Sequence, residues 1–424
     1  MPDVEKDSMS SHDAPKEDTS PPKPPSFPEG GLKAWLAVLS CWCVMFNTFG
    51  YINAFGIYEA YYKSTFLKDE SASNIAWIGS LQAFFMFSAG LISGPLMDRY
   101  GPRIILIPCS LLFILSVMLN SLCKEYYQFI LAQGILGGLA NGLTYTPTLT
   151  AVNQYFFRRR PLAMGIASSG SSFAGIILPI ALNRMLNAST LGFGWTVRII
   201  GFIMLSLSLI ACLCISSPAP RRQTGAPLLL EAWHHPAYTL QVAGLFLVIW
   251  ALFTPFFYVP AYAQSVIGLD VDFSNYLVAI INAGSFAGRL LTGVFANRIG
   301  RFNSLVLSSA ICGLLILCWL AVDSKGAMVA FAVLFGFFSG SVIGLFTATL
   351  ALTAPRPNVI GSYMGMALGV LSLASLTGTP ITGAMINAYG GYEAAIIFAG
   401  VSVLLGAVVV GVARVCFAGG KLVA

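Results

Sequence analysis

Charge is scarce in this sequence. Aspartate, glutamate, lysine and arginine make up 9% of the 424 residues, and hydrophobic residues 57%. Soluble domains carry about a quarter charged residues, so no water-facing surface can be assembled from this chain. Its acids also avoid the apolar stretches. Seven of the 17 lie in Met1–Glu29, and polar loops hold Asp69, Glu70, Asp98, Glu125, Glu231, Asp270, Asp272 and Asp323. Only Glu59 and Glu393 remain, at the ends of apolar runs. Proton relays inside membranes use buried carboxylates or histidines, and none is placed for that role. The histidines are His12 in the polar N-terminal stretch and the His234-His235 pair in a polar connector, neither beside a nucleophile and a carboxylate. The nine cysteines (41, 43, 109, 123, 212, 214, 312, 318 and 416) sit in or at the ends of apolar runs. Two CxC pairs occur, but no CxxC pair with histidines nearby, which argues against a zinc site. The cysteines read as small core hydrophobes. Neither catalysis, nor a metal, nor a cofactor is expected.

What the chain has in abundance is long apolar runs. Mean hydropathy is +0.78, and runs of 18 or more residues, long enough to cross a bilayer as helices, recur along it. In lipid every backbone polar group must be satisfied internally, which leaves helices or closed barrels. These runs are too long and too little alternating for barrel strands. The pattern predicts an all-helical membrane protein with spans at about 34–58, 75–97, 104–123, 127–153, 161–186, 196–215, 237–264, 274–297, 304–322, 327–353, 358–386 and 393–413. Residues 1–28 are polar and proline-rich (SPPKPPSFP), a composition that cannot bury a core. No charged segment leads into an early apolar one, so a cleaved signal peptide is not expected.

Basic residues orient the spans. With an N-terminal tail on the cytoplasmic side, the inside loops hold Arg99, Arg103, Arg158–Arg160, Arg221, Arg222, Arg298, Arg301 and Arg356. The outside loops then hold Lys63, Lys68, Lys124, Arg184 and Lys325. The excess inside places both termini in the cytoplasm. It also accounts for the net charge of +6 without a nucleic-acid partner. Asn187-Ala-Ser189 would be a glycosylation sequon on the far side.

Two loops repeat. Gly94-Pro-Leu-Met-Asp-Arg-Tyr-Gly-Pro-Arg103 follows the second span, and Gly293-Val-Phe-Ala-Asn-Arg-Ile-Gly-Arg301 follows the eighth. A shift of six helices is what two parallel six-helix halves require. The first loop resembles the signature between helices 2 and 3 of the major facilitator superfamily, and the second its counterpart in the other half. That resemblance implies a twelve-helix fold in two bundles. The divisions expected are a tail at 1–28, bundles at 29–215 and 237–414, a connector at 216–236 and a short tail at 415–424. It also implies a gating role for Gly94, Asp98, Arg99, Gly101 and Arg103, and for Gly293, Asn297, Arg298, Gly300 and Arg301. Asn297 stands where the first copy has Asp98, so the second gate should be the weaker.

A narrower likeness covers most of residues 29–415. Glu29-Gly-Gly-Leu-Lys-Ala-Trp35 and Asn153-Gln-Tyr-Phe-Phe-Arg-Arg-Arg-Pro-Leu-Ala-Met-Gly-Ile-Ala-Ser-Ser-Gly-Ser-Ser172 resemble the entries to helices 1 and 5 of the monocarboxylate porters. Trp195-Thr-Val-Arg198, Pro255-Phe-Phe-Tyr258 and Gly361-Ser-Tyr-Met-Gly365 are similar to their fungal branch. Animal members carry a lysine near the position of Asn53 and an aspartate at the position of Ser285, groups linked there to proton and lactate handling. Their absence argues against proton–lactate symport. Drug antiporters of the superfamily carry an arginine three residues before Gln133-Gly134, where this chain has Ile130.

One cation lies deep in a span. Arg289 is eight residues before Asn297, hence roughly 12 Å from the loop at 1.5 Å per residue. Such a charge faces a cavity, a substrate path or backbone carbonyls. Its planar fork suits a carboxylate. Asn282, Ser285, Arg289 and Thr292 share one helical stripe. Weaker candidates are Asn47, Tyr51, Ala54 and Tyr58, Asn141 and Tyr145, and Phe256, Phe257 and Tyr258 between two prolines. The expected substrate site is Arg289, Asn282, Ser285, Asn53 and Tyr258. The whole reads as a monomeric transporter working by alternating access. It is expected in the plasma membrane, with a vacuolar or other internal membrane as the alternative. The first substrate expectation is a monocarboxylate-like organic anion. Alternatives are efflux of a fungal secondary metabolite, uptake of a planar vitamin such as riboflavin, or a non-transporting nutrient sensor.

Overall fold

The computed structural model describes residues 27–187, 190–222 and 228–419. The expected tail at 1–28 and the Asn187 sequon therefore lie largely outside the described residues, as do positions 223–227 of the connector and the last five residues. Twelve long helices follow in order: α1 Leu32–Asn53, α2 Asn74–Tyr100, α3 Pro102–Asn120, α4 from Tyr126 to Tyr155, α5 Arg160–Leu186, α6 Gly192–Cys214, α7 Pro236–Ser265, α8 Val271–Ile299, α9 Arg301–Ala321, α10 Lys325–Thr353, α11 Pro357–Tyr389 and α12 Glu393–Ala418. Each expected span has its helix. Past Ala54, α1 continues as Phe55–Thr65.

Local chemistry sets the ends. Ser71, Asp270 and Ser324 accept hydrogen bonds from the first-turn amides of α2, α8 and α10, the usual remedy for orphan N–H groups. Pro102 and Pro236 open their helices, where a missing N–H costs nothing. The two repeated loops turn on glycines of matching geometry. Gly101 has φ +83° and Gly300 φ +99°, a region an L-residue rarely enters, so the sharp reversals from α2 to α3 and from α8 to α9 depend on them.

Eleven of the twelve helices are long and apolar enough to cross a bilayer. The departure is α4, built as Tyr126–Phe129, a π-helical segment Ile130–Gly137 and Gly138–Tyr155. Its polar residues explain the deficit: Gln133, Asn141, Thr144, Thr146, Thr148, Thr150, Asn153 and Gln154 are all buried in protein. A helix surrounded by other helices can carry polar groups that a lipid-facing helix cannot. Apolar side chains face outward on many of the helices. Leu111 on α3, Leu213 on α6, Leu314 on α9 and Val408 on α12 are each more than half exposed.

The first and last described residues lie at one face, termed the terminal face. Glu29 N–H donates to the Tyr155 carbonyl at 3.0 Å at the end of α4. The Phe417 ring lies 5.1 Å from that of Phe302 at the start of α9. Helices from the two halves meet there through glycine. A Cβ built on Gly94 of α2 would stand 2.2 Å from the Gly361 carbonyl of α11, and one on Gly293 of α8 would stand 2.8 Å from the Pro161 carbonyl of α5; within the second half, one on Gly288 of α8 would stand 1.8 Å from the Phe337 carbonyl of α10. Close packing of membrane helices relies on small residues of this kind.

Gly288→Val is expected to force α8 from α10 and cost at least the 1–3 kcal/mol typical of overpacking, about. Gly326→Ala, where a Cβ meets nothing within 4 Å, is expected to be neutral. Thermal unfolding of the two purified variants checks this.

Candidate substrate site and gate

Arg289 is 3% exposed. Its backbone passes Gly165 of α5 on one side, and its side chain lies 3.6 Å from a Cβ position at Gly344 of α10 on the other. One guanidinium nitrogen, Nη1, donates to the Ser168 carbonyl and the Ser171 hydroxyl of α5. Nε has no partner. No carboxylate pairs with the group among the described residues. Tyr145 of α4 is close enough to interact with it electrostatically. Of the two expectations for this arginine, the backbone contact is the one formed in this conformation. Two of its five N–H donors are spent on α5 and Nε stays free.

Around it the structure gathers part of the expected set. Ser285, one turn earlier on α8, meets Ser172 of α5 at 3.2 Å. Asn282 donates to Val278 at 2.9 Å and accepts from Asn53 of α1 at 3.4 Å. The stripe on α8 then divides, because Thr292 turns to Ser341 of α10 at 2.5 Å. Tyr258 does not join the others. Its hydroxyl donates to the Thr379 carbonyl of α11 at 2.9 Å. The three α7 aromatics also fail to form one platform. Phe256 packs on Phe253 and Phe335, at 6.1 and 5.9 Å between centroids, while Phe257 is 44% exposed. Successive residues on a helix project about 100° apart, so three in a row cannot share a face.

Sequence reading missed the α5 serines. Ser168, Ser171 and Ser172 lie at i, i+3 and i+4, the spacing of one helix face, and that was the available signal. It also undervalued α4. Tyr145 Oη and both polar atoms of Asn141, one turn away, are buried without a hydrogen-bond partner. Burying such groups unpaired costs about 1–3 kcal/mol each, which marks this stretch of α4 as chemically unsettled.

At the terminal face the two repeated loops close the molecule. Asp98, 4% exposed at the end of α2, accepts from Gly361 N at 3.0 Å, Ser362 N at 2.7 Å and Ser362 Oγ at 2.7 Å. It thus caps α11, a helix of the other half. A carboxylate there also meets the positive end of the helix dipole. Arg103 does not pair with it; it donates to the Ile215 and Leu213 carbonyls at 3.0 and 3.3 Å, finishing α6. Arg99 lies over Tyr100 at 5.6 Å, and Arg298 is exposed. In the second loop Asn297 Nδ2 donates to the Arg158 carbonyl at 2.7 Å, Asn297 Oδ1 accepts from Arg301 Nε at 3.3 Å, and Gly293 lies against Pro161. Gln154 adds a bond to the Pro357 carbonyl at 2.9 Å.

The family model described as the Major Facilitator Superfamily matches residues 38–367. The aspyridones efflux protein of Emericella nidulans is 46% identical over 94% of this chain and 82% of its own length. The agnestins efflux protein of Paecilomyces divaricatus is 41% identical over 97% of this chain and 94% of its own. Among solved structures, the human organic anion transporter TETRAN has a TM-score of 0.74, covering 90% of this chain and 100% of that one. At 12% identity that likeness speaks to fold alone.

A buried cation without a counter-charge is expensive to fold around. Arg289→Met, which keeps length and loses charge, is therefore expected to leave the thermal midpoint unchanged or raise it. A midpoint lowered by several degrees would instead make the α5 contacts the reason for the arginine.

Proposed function

Because the chain belongs to the major facilitator superfamily, we propose that this transporter carries an acidic secondary metabolite outward, by alternating access between bundles at 29–215 and 237–414. Family and relatives make it a multi-pass membrane transporter and no enzyme. The single observation that carries the substrate class is Arg289. It is buried, without a carboxylate partner, with Nε free and the unpartnered Tyr145 hydroxyl beside it. A substrate carboxylate or enolate meeting Nε and Tyr145 Oη would supply both the missing charge and the missing acceptor. The outward direction is supported by relatives named as efflux proteins, aspyridones and agnestins among their cargoes. That favours metabolite efflux over the monocarboxylate carriage expected first from sequence. The basic loops favour a cytoplasmic terminal face in the plasma membrane.

Exchange of simple monocarboxylates is the second reading, favoured by the porter-like entries at Glu29–Trp35 and Asn153–Ser172. The two differ in substrate size and share the anion anchor.

Transport into inside-out vesicles of a panel of aliphatic and aromatic carboxylic acids, each paired with its neutral amide, tests the reading. Arg289→Ala is expected to lower carboxylate transport at least about tenfold, the worth of one charge-assisted hydrogen bond. Arg289→Lys should retain an intermediate rate, because it keeps charge and loses the fork. Normal carboxylate transport by Arg289→Ala would remove the anion site.

A further inference from the structure

The second loop has asparagine where the first has aspartate, and the structure shows what the difference answers to. At the first gate, the entry amides of α11 are capped by an acid from the opposite half, Asp98. Gly293 packs on Pro161 and Leu162 at the entry of α5 as Gly94 packs on Gly361, and Pro161 has no N–H to offer an acid; the loop just before it is held from the same half. Glu29 Oε1 accepts from Phe157 N at 3.0 Å and Arg158 N at 2.6 Å, and Oε2 accepts from Arg159 N at 3.3 Å. The segment that delivers this carboxylate is bent for the purpose. Glu29 has φ +57°, the one non-glycine residue with positive φ among those described, and Gly30 and Gly31 follow at +154° and +89°. Its own N–H is fixed to the Tyr155 carbonyl. The Phe27 and Phe157 rings stack at 5.3 Å, and the Arg160 guanidinium lies 5.5 Å from each. Arg160 and Arg301 both feel the Glu29 charge.

We infer that Glu29 is a positioning residue of the second gate: by holding the amides of residues 157–159 it fixes the Arg158 carbonyl that Asn297 meets, at an entry where Pro161 offers no N–H to an acid. With those N–H groups occupied, what α5's entry presents to α8 is a carbonyl, that of Arg158. Asn297 Nδ2 bonds to it at 2.7 Å. Aspartate at 297 would set a carboxylate against that carbonyl, on a peptide run already bound to Glu29. An acceptor facing an acceptor makes no hydrogen bond, so an aspartate there would keep Arg301 and lose the contact that joins α8 to the loop. The two gates therefore differ in kind. Opening the terminal face must break the Asp98 carboxylate–amide bonds, which join the halves. It leaves the Glu29 bonds intact, so the loop before α5 moves with the first bundle and parts from α8 by losing a neutral hydrogen bond.

The dependence between residues 29 and 297 is testable without knowing the substrate. The full chain is placed in lipid nanodiscs with Met364→Cys as reporter. Met364 is fully buried against Asn153 and Thr150 inside the terminal closure. Its alkylation by N-ethylmaleimide is followed through the mass of the peptide bearing residue 364, which separates it from the native cysteines. Asn297→Asp and Glu29→Gln are each expected to accelerate labelling about threefold, and the double variant to label no faster than the faster single variant, the non-additivity of residues acting through one contact. A double variant labelling at the product of the two single effects, or Asn297→Asp labelling like the parent, overturns the inference. Hydrogen exchange at amides 157–159 gives a second measurement on the same samples. Glu29→Gln should raise exchange there, while Asn297→Asp alone, which alters only the carbonyl contact, should leave it near the parent. Exchange at 157–159 unchanged by Glu29→Gln again overturns it.

Discussion

One carboxylate joins the two halves of this molecule. Asp98, at the end of a helix in the first half, takes two backbone amides and a hydroxyl at the start of a helix in the second. Each bond is charge-assisted, and a hydrogen bond of that kind is worth about 1.5–3 kcal/mol. The acid is almost wholly removed from water, which strengthens the bonds and makes any change at the site costly. The glycine contacts between α2 and α11 bring the backbones near enough for so short a side chain to reach. The turn at Gly101 ends α2 at the right residue. Much of the terminal face is arranged to make this contact possible, and it is the contact that opening must give up.

The interior follows a related economy. Arg289 lacks an acid, so it is held by neutral groups, a carbonyl and a hydroxyl of α5. Neutral partners lower the cost of burying a cation without cancelling its charge. That leaves an electrostatic demand for an anion in a part of the molecule where α4, α5, α8 and α10 meet. The polar face of α4 belongs to the same picture. Its threonines and amides are tolerated because they are buried against other helices and not against lipid.

Most of the architecture was legible in the residues. Span length and apolar periodicity gave twelve helices, and the DRYGPR and NRIGRFN loops gave their two-fold arrangement. Those signals are local, and membrane helices obey local rules closely. Site chemistry was less accessible because it depends on what faces what. Nothing in the sequence said that Arg289 would spend Nη1 on Ser168 and Ser171, or that Tyr258 would turn to Thr379. The Asn297 substitution was visible, but its meaning was not. Read alone it suggested a weakened gate. Its partner is 268 residues away at Glu29 in a different helix entry, and only folding brings the pair together around one loop. The α4 deficit in hydropathy was also misjudged as an ordinary span, since burial within protein relaxes the demand for apolar residues in a way composition cannot report.

If the Asp98 cap holds the terminal face closed, the distance across that face must depend on it. Pulsed electron–electron resonance between spin labels at Tyr100 and Arg356, in nanodiscs, measures that distance directly. The parent should give one dominant short distance. Asp98→Asn, which loses the charge and one acceptor, should add a longer population several ångströms out, since about 1.5–3 kcal/mol shifts a two-state balance at least tenfold. Identical distance distributions for parent and Asp98→Asn would contradict a closure that rests on this carboxylate.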